Sequence, residues 1–126
     1  MAFAEAYKER FGENASPNGG GQTYTALHAY AIAAALAGGP GGPYEEDQNR
    51  LVADRLKALI YRGPVGTMRI RADTQSAWSY PTETNDPSLG MPHIFSQIQD
   101  KAKDGVLIAP WPYEKGTFQM PPWMKG

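Results

Sequence analysis

The sequence predicts an α+β arrangement: three helices, then a strand, then a C-terminal β-hairpin. Three observations carry this. Phe3, Tyr7 and Phe11 recur every four residues, which is one face of a short amphipathic helix. An alanine-rich run follows at about Gln22–Ala37. Near the end, two apolar stretches, His93–Gln99 and Val106–Ala109, flank a Lys-Asp-Gly turn, the pattern of a hairpin.

Glu5, Lys8, Glu9 and Arg10 lie between the aromatic positions of the first helix, and Gly12 is placed to end it. ENASPNGGG (13–21) reads as a polar, glycine-rich linker. In the second helix Leu27, Tyr30, Ile32 and Leu36 lie among alanines, so it is apolar on nearly every side and is expected to be buried on several. At about sixteen residues, with Thr23, Thr25 and His28, it is too short and too polar to cross a membrane. GGPGGP (38–43) breaks the chain. Glu45, Glu46 and Asp47 then put negative charge where a third helix's dipole favours it. Leu51, Val52, Leu56, Leu59 and Ile60 would form its buried stripe, with Arg50, Asp54, Arg55 and Lys57 on the wet side and Gly63-Pro64 as the stop. Val65–Ile70 alternates as a strand does. Residues 73–90 are polar and turn-rich, an irregular loop of a length that is usually functional or bridges separate elements.

The composition narrows the function classes. The 126 residues fit one domain of ordinary size. Twelve basic residues against thirteen acidic ones leave no footprint for nucleic acid or an anionic membrane. Without cysteine there is neither a disulfide nor a thiolate metal site. MAFAEAYKERF has acids and no apolar core, so it is not a signal peptide.

No catalytic set is visible. His28 and His93 have no carboxylate or second histidine at i+3 or i+4, so neither carries the spacing of a metal ligand or a paired base. The acidic Glu45–Asp47 group is explained by helix-start electrostatics rather than by a metal. Asn18-Gly19-Gly20-Gly21 lacks the Lys-Ser/Thr of a phosphate loop. It leaves open a backbone that approaches a ligand at a helix N-terminus. Trp78, Tyr80, Trp111, Tyr113 and Trp123 make the second half aromatic. They suit sugar stacking if exposed and sheet-edge cover if not. Four prolines, at 110, 112, 121 and 122, suggest an extended tail.

The order of these motifs resembles the C-terminal third of the type I periplasmic solute-binding proteins, the Leu/Ile/Val-binding family of ABC transporters. FAEAYKERFGENAS is similar to that family's amphipathic helix, QTYTALHAYAIAAALAGG to the helix after it, RGPVGTMRI to its Gly-Pro-x-Gly strand, MPHIFSQIQD…GVLIAP to its final hairpin, and FQMPPW to the tail of some members. The resemblance spans essentially the whole chain. It implies an α/β fold of two lobes joined by a three-stranded hinge. Residues 1–90 would be part of the N-terminal lobe. Residues 91–126 would be the hinge crossing near Met91–Ile94, the β-hairpin of the other lobe and the tail. It implies a non-enzymatic protein without cofactor or metal, working in the periplasm. Closure of the lobes would trap a small solute such as an amino acid or amide, to be handed to a membrane permease.

In that family an aromatic on the loop before the second helix often touches the solute. The matching position is Gly19, with Asn18 beside it and Gly21 next to the cleft, so here contact would come through backbone amides or leave room for a bulkier solute. The strands on which such helices pack are not in this sequence. The chain is therefore expected to be a fragment that orders by self-association, with swapped strands, or by its missing N-terminal part. The rival reading is a stand-alone aromatic-rich interaction or carbohydrate-binding module.

Overall fold

Phe3, Tyr7 and Phe11 do line one side of a helix, α1 (Ala2–Phe11), with ring centroids 5.8 Å and 4.7 Å apart along it. A left-handed Gly12 (φ +93°) closes it, donating its N–H to the Lys8 carbonyl at 2.7 Å. The computed structural model describes residues 2–99 and 105–124. The chain divides between Met91 and Pro92 into two compact units.

The second helix corrects the sequence reading. α2 runs from Pro17 to Leu36, so Asn18, Gly19, Gly20 and Gly21 belong to its first turns and not to a linker. Pro17 presets the backbone angle of a first helical residue, where its missing N–H costs nothing. The glycines serve close approach: a Cβ at Gly20 would lie 2.4 Å from the Tyr7 ring, and one at Gly21 2.8 Å from Val65 Cγ1. Packing overrides a helix penalty of about 1 kcal/mol per glycine.

Burial on α2 is also sorted by size. Gly21, Thr25, Ala29 and Ala33, four residues apart, form the buried line, with Ala34 beside it. Leu27 and Leu36 are 62% and 60% exposed, and Tyr30 and Ile32 are exposed too. The expectation of a helix buried on several sides therefore holds only for its small residues.

The end of α2 is a double-glycine cap. Gly39 N–H reaches Ala34 O (2.8 Å) and Gly38 N–H reaches Ala35 O (3.2 Å), both glycines with positive φ, the pattern that satisfies a helix's last carbonyls. Gln48 of the next helix adds bonds from Nε2 to Ala37 O (3.0 Å) and Gly39 O (2.7 Å). Gln48→Ala is expected to cost about 1 kcal/mol, seen as a lower urea midpoint with an unchanged slope.

α3 (Glu46–Ala58) begins as its acids predict: Glu45 Oε2 accepts from Gly42 N–H at 2.8 Å. Its predicted stripe is only partly right. Val52 is buried and Leu56 packs partly against Ala33 and Ala34, but Leu51 and Ile60 are half-exposed. The helix stops at Ala58, Leu59 is extended (ψ 137°), and Ile60 opens a strand. Gly63-Pro64 is thus not a helix stop but part of a hairpin turn. β1 (Ile60–Gly63) and β2 (Gly66–Arg69) pair antiparallel, Tyr61 against Met68 and Gly63 against Gly66. The reason is local: the left-handed Gly66 (φ +116°) and a two-residue Pro64-Val65 loop let the chain reverse. Gly63 also admits α2 closely, since a Cβ there would sit 2.5 Å from Thr25 Oγ1.

The loop predicted for 73–90 carries more order than the sequence suggests. Trp78 N–H bonds to Arg69 O (2.9 Å) and Ile70 bridges Ala77, so β2 is extended into a second turn through Gln75 (φ +57°). β3 (Ser79–Tyr80) then pairs through Met91 of β4 (Met91–Pro92), whose N–H reaches Trp78 O at 2.8 Å.

The second unit contains the expected hairpin. β5 (Phe95–Gln97) pairs antiparallel with β6 (Val106–Ala109), with a bulge between Phe95 and Ser96. The predicted Lys-Asp-Gly turn lies outside the described residues, apart from Gly105. The tail returns beside β5. Gln97 Nε2 donates to Gln119 O (2.7 Å), while Gln119 N–H donates to Gln97 Oε1 (2.9 Å). The tail does not simply stay extended: Pro122–Met124 is a single 3-10 turn.

Candidate functional site

The start of α2 faces an open depression of about 730 Å³ between α1, α2 and the β1–β2 turn. Asn18 and Gly21 line it together with Phe3, Tyr24, Tyr61 and Arg62. Gly19 does not line it, and nothing lies within 4 Å of where its Cβ would be. Two of the three expected residues therefore share one depression, as helical residues.

The walls are aromatic. Phe3 and Tyr24 are 5.1 Å apart by ring centroid, His28 stacks on Tyr24 at 4.0 Å, and Tyr61 stands 6.4 Å beyond His28. Phe3, Tyr24 and Tyr61 were not singled out as site residues in the sequence. Phe3 read as a helix face, and Tyr61-Arg62 read as the end of a helix; only the hairpin brings them to α2. His28 is a member of this ring stack.

The polar side is supplied by the helix start and one cation. Ser16 makes no side-chain cap bond, and the first amides of a helix have no partner within it. Those of Asn18 and Gly19 thus add to the positive end of the dipole. Arg62 also lines the depression, and its charge acts on Asp86. That carboxyl is held below its usual range first by hydrogen bonds from Ser88 and then by Arg62. An apolar wall with helix-start amides at one end and an arginine in its lining suits a small molecule with a carboxylate and a hydrophobic group.

The other sequence candidates do not converge here. Trp78 lies under two guanidinium groups, Arg69 at 5.0 Å and Arg71 at 5.9 Å from its ring centroid. It belongs to the first unit, whereas Trp111 and Trp123 belong to the second. His93 is exposed in the second unit. Among the described residues no group of three His, Cys, Asp or Glu side chains is placed to hold a metal, and no helix is long and apolar enough to cross a membrane.

Three helices and three two-stranded ladders are consistent with a fragment of the periplasmic binding protein fold. Comparison with solved structures gives the particular group. Over 98% of its length the chain is similar, at 76% identity and a TM-score of 0.91, to the crystal structure of a "putative branched-chain amino acid ABC transporter" from Silicibacter pomeroyi. It spans 31% of that chain, about a third of its length. The resemblance read from the motifs thus points to the same group as this neighbour's name, the branched-chain amino acid ABC transporters. No family model matches the chain, and no curated protein matches it.

Proposed function

We propose that this chain serves as part of the substrate-binding component of an ABC transporter, capturing a small organic solute, an amino acid or amide, by closure of two lobes. The observation that carries the reading is the 76% identity, over nearly all residues, to a protein named for branched-chain amino acid transport. The depression agrees with it in chemistry: Phe3, Tyr24 and Tyr61 suit an aliphatic side chain, and Arg62 with the α2 amides suits a carboxylate. Asn18 and Gly21, which line the depression, take the part of the helix start nearest the solute, whereas Gly19 does not reach it. Binding and closure need no covalent step, so no residue is given a catalytic role.

Residues 1–90 would form part of the N-terminal lobe, and 91–126 the crossing and hairpin of the other. The change of compact unit at Met91/Pro92 supports this division. The partners are the solute and a membrane permease, and the compartment is the periplasm. A second copy of the chain, or the rest of a longer protein, would cover the apolar sides of α2.

The test is a chimera in which this segment replaces its counterpart in the Silicibacter pomeroyi protein, titrated calorimetrically with leucine, isoleucine, valine, a short amide and an oligosaccharide. Binding of an aliphatic amino acid or the amide, weakened at least tenfold by Gly21→Leu, is expected. Binding of the oligosaccharide alone would return the function to the carbohydrate-binding reading.

A further inference from the structure

The residues after β2 hold a charge network that neither the fold comparison nor the solute depression uses. Arg71 forms a two-pronged pair with Asp73, Nε to Oδ1 at 3.1 Å and Nη2 to Oδ2 at 2.7 Å. Its remaining Nη1 bonds to Glu83 Oε1. Its guanidinium also lies over the Trp78 ring. Glu83 continues the chain of contacts: its Oε2 accepts from the Ser79 N–H (2.9 Å) and the Ser79 hydroxyl (2.7 Å). Ser79 opens β3, and the Trp78 carbonyl just before it holds the Met91 N–H at 2.8 Å. Met91 is the last residue of the first unit.

We propose that Arg71 is a positioning residue that latches the exit from the first unit: by tying Asp73 and Glu83 together over Trp78, it fixes the Trp78–Ser79 backbone on which Met91 is hung. With the latch closed, the tether to the second unit starts at Met91. With it open, the β3–β4 pair loses its side-chain support, and the tether starts after Trp78, whose N–H stays bonded to Arg69 O. A free coil of about 12 residues has a root-mean-square span on the order of 20 Å, so Met91 would no longer be held at a fixed point of the first unit. This goes beyond the solute-binding reading and does not depend on it.

The geometry calls for arginine. One planar fork serves two carboxylates at fixed angles, which a lysine ammonium does not reproduce. The ionisation states agree. Hydrogen bonds from Arg71 first of all hold the Asp73 carboxyl at about 2. Hydrogen bonds from Ser79, then from Arg71, hold Glu83 below its usual range. Both carboxylates are charged at neutral pH.

Hydrogen exchange followed by NMR on the 126-residue chain tests the latch, with Arg71→Met, Arg71→Lys and Glu83→Gln variants. The Met91 and Ser79 amides are expected to exchange at least tenfold faster in Arg71→Met and Glu83→Gln, while Ala33 and Val52 in the α2–α3 pair keep their rates. Arg71→Lys should restore less than half of the logarithmic loss. In a Trp111→Phe, Trp123→Phe background, Trp78 emission should shift in Arg71→Met. If Arg71→Met also speeds exchange at Ala33 and Val52, the milder Glu83→Gln decides. Met91 exchange within twofold of the parent in Glu83→Gln, or full rescue by lysine, overturns the proposal.

Discussion

Ala33→Leu is expected to lower the stability of the first unit by about 1–3 kcal/mol, the usual penalty for extra methylenes in a filled contact. Ala33 is completely buried where α2 meets α3, in a cluster with Ala34 and Val52 and with Ala37 and Leu56 at its edge. The small alanine side chains are what let the two helices pack there. A leucine would have to push α3 away, taking with it Gln48, which closes the C-terminus of α2. The loss would be seen as a fall of about 4–8 °C in melting temperature per kcal/mol for a unit of this size. Ala26→Leu, on an exposed position of the same helix, should change stability by less than about 0.5 kcal/mol. Equal effects at both positions would mean that α2 and α3 are not packed as described.

The second large effect is expected on association. Leu27, Tyr30, Ile32 and Leu36 all stand substantially exposed on α2. Fully burying one such side chain is favourable by about 1.5–3 kcal/mol, so covering several of them is a strong drive to self-association. At tens of micromolar the chain should sediment as a dimer or larger. Leu27→Glu together with Leu36→Glu should shift it to monomer without loss of helical circular dichroism, because neither leucine belongs to the core. A parent chain that stays monomeric across that range would show that these sides need no cover, and that its stability comes from contacts other than these.

Acidification separates the Arg71 network from this apolar packing. Asp73 has a folded pKa of about 2, below its ordinary value near 4. A depressed carboxyl stabilises the fold above its unfolded pKa, and that contribution is lost as pH falls through the folded one. The contribution of Asp73 should therefore be complete above about pH 4–5 and fade toward about pH 2. Asp73→Asn should flatten this part of the stability profile, measured by urea unfolding at each pH.

The parts of the fold legible in the sequence were those whose signal is local. The four-residue recurrence of Phe3, Tyr7 and Phe11 and the closing Gly12 needed only helix geometry. Glu45–Asp47 marked the start of α3 through the dipole. The stretch His93–Gln99 and the apolar run Val106–Ala109 identified the final hairpin, whose first strand is Phe95–Gln97. The order of motifs was enough to find the right group of transport proteins, because order and spacing survive where each motif is loose.

The misreadings share a cause, which is that a residue's local preference gave way to a distant neighbour. Three glycines looked like a linker because glycine is a poor helix former. They lie in the first turns of α2, and at two of them Tyr7 and Val65 leave no room for a Cβ, so close packing there requires glycine. Leu59 and Ile60 fitted a helical stripe, but pairing of Ile60 with Arg69 turned the chain into a strand. The same hairpin carries Tyr61 and Arg62 to the start of α2, so the depression was invisible before the β1–β2 pairing was known.

Periodicity and charge placement thus settled which segments are helices, where α1 and the final hairpin lie, and which group the chain resembles. Long-range packing settled where α2 begins, where α3 ends and which side chains meet around Asn18 and Gly21. The physical reason is range: periodicity acts over a few residues, whereas the space for a Cβ and the register of a strand pair depend on atoms that come from far along the chain.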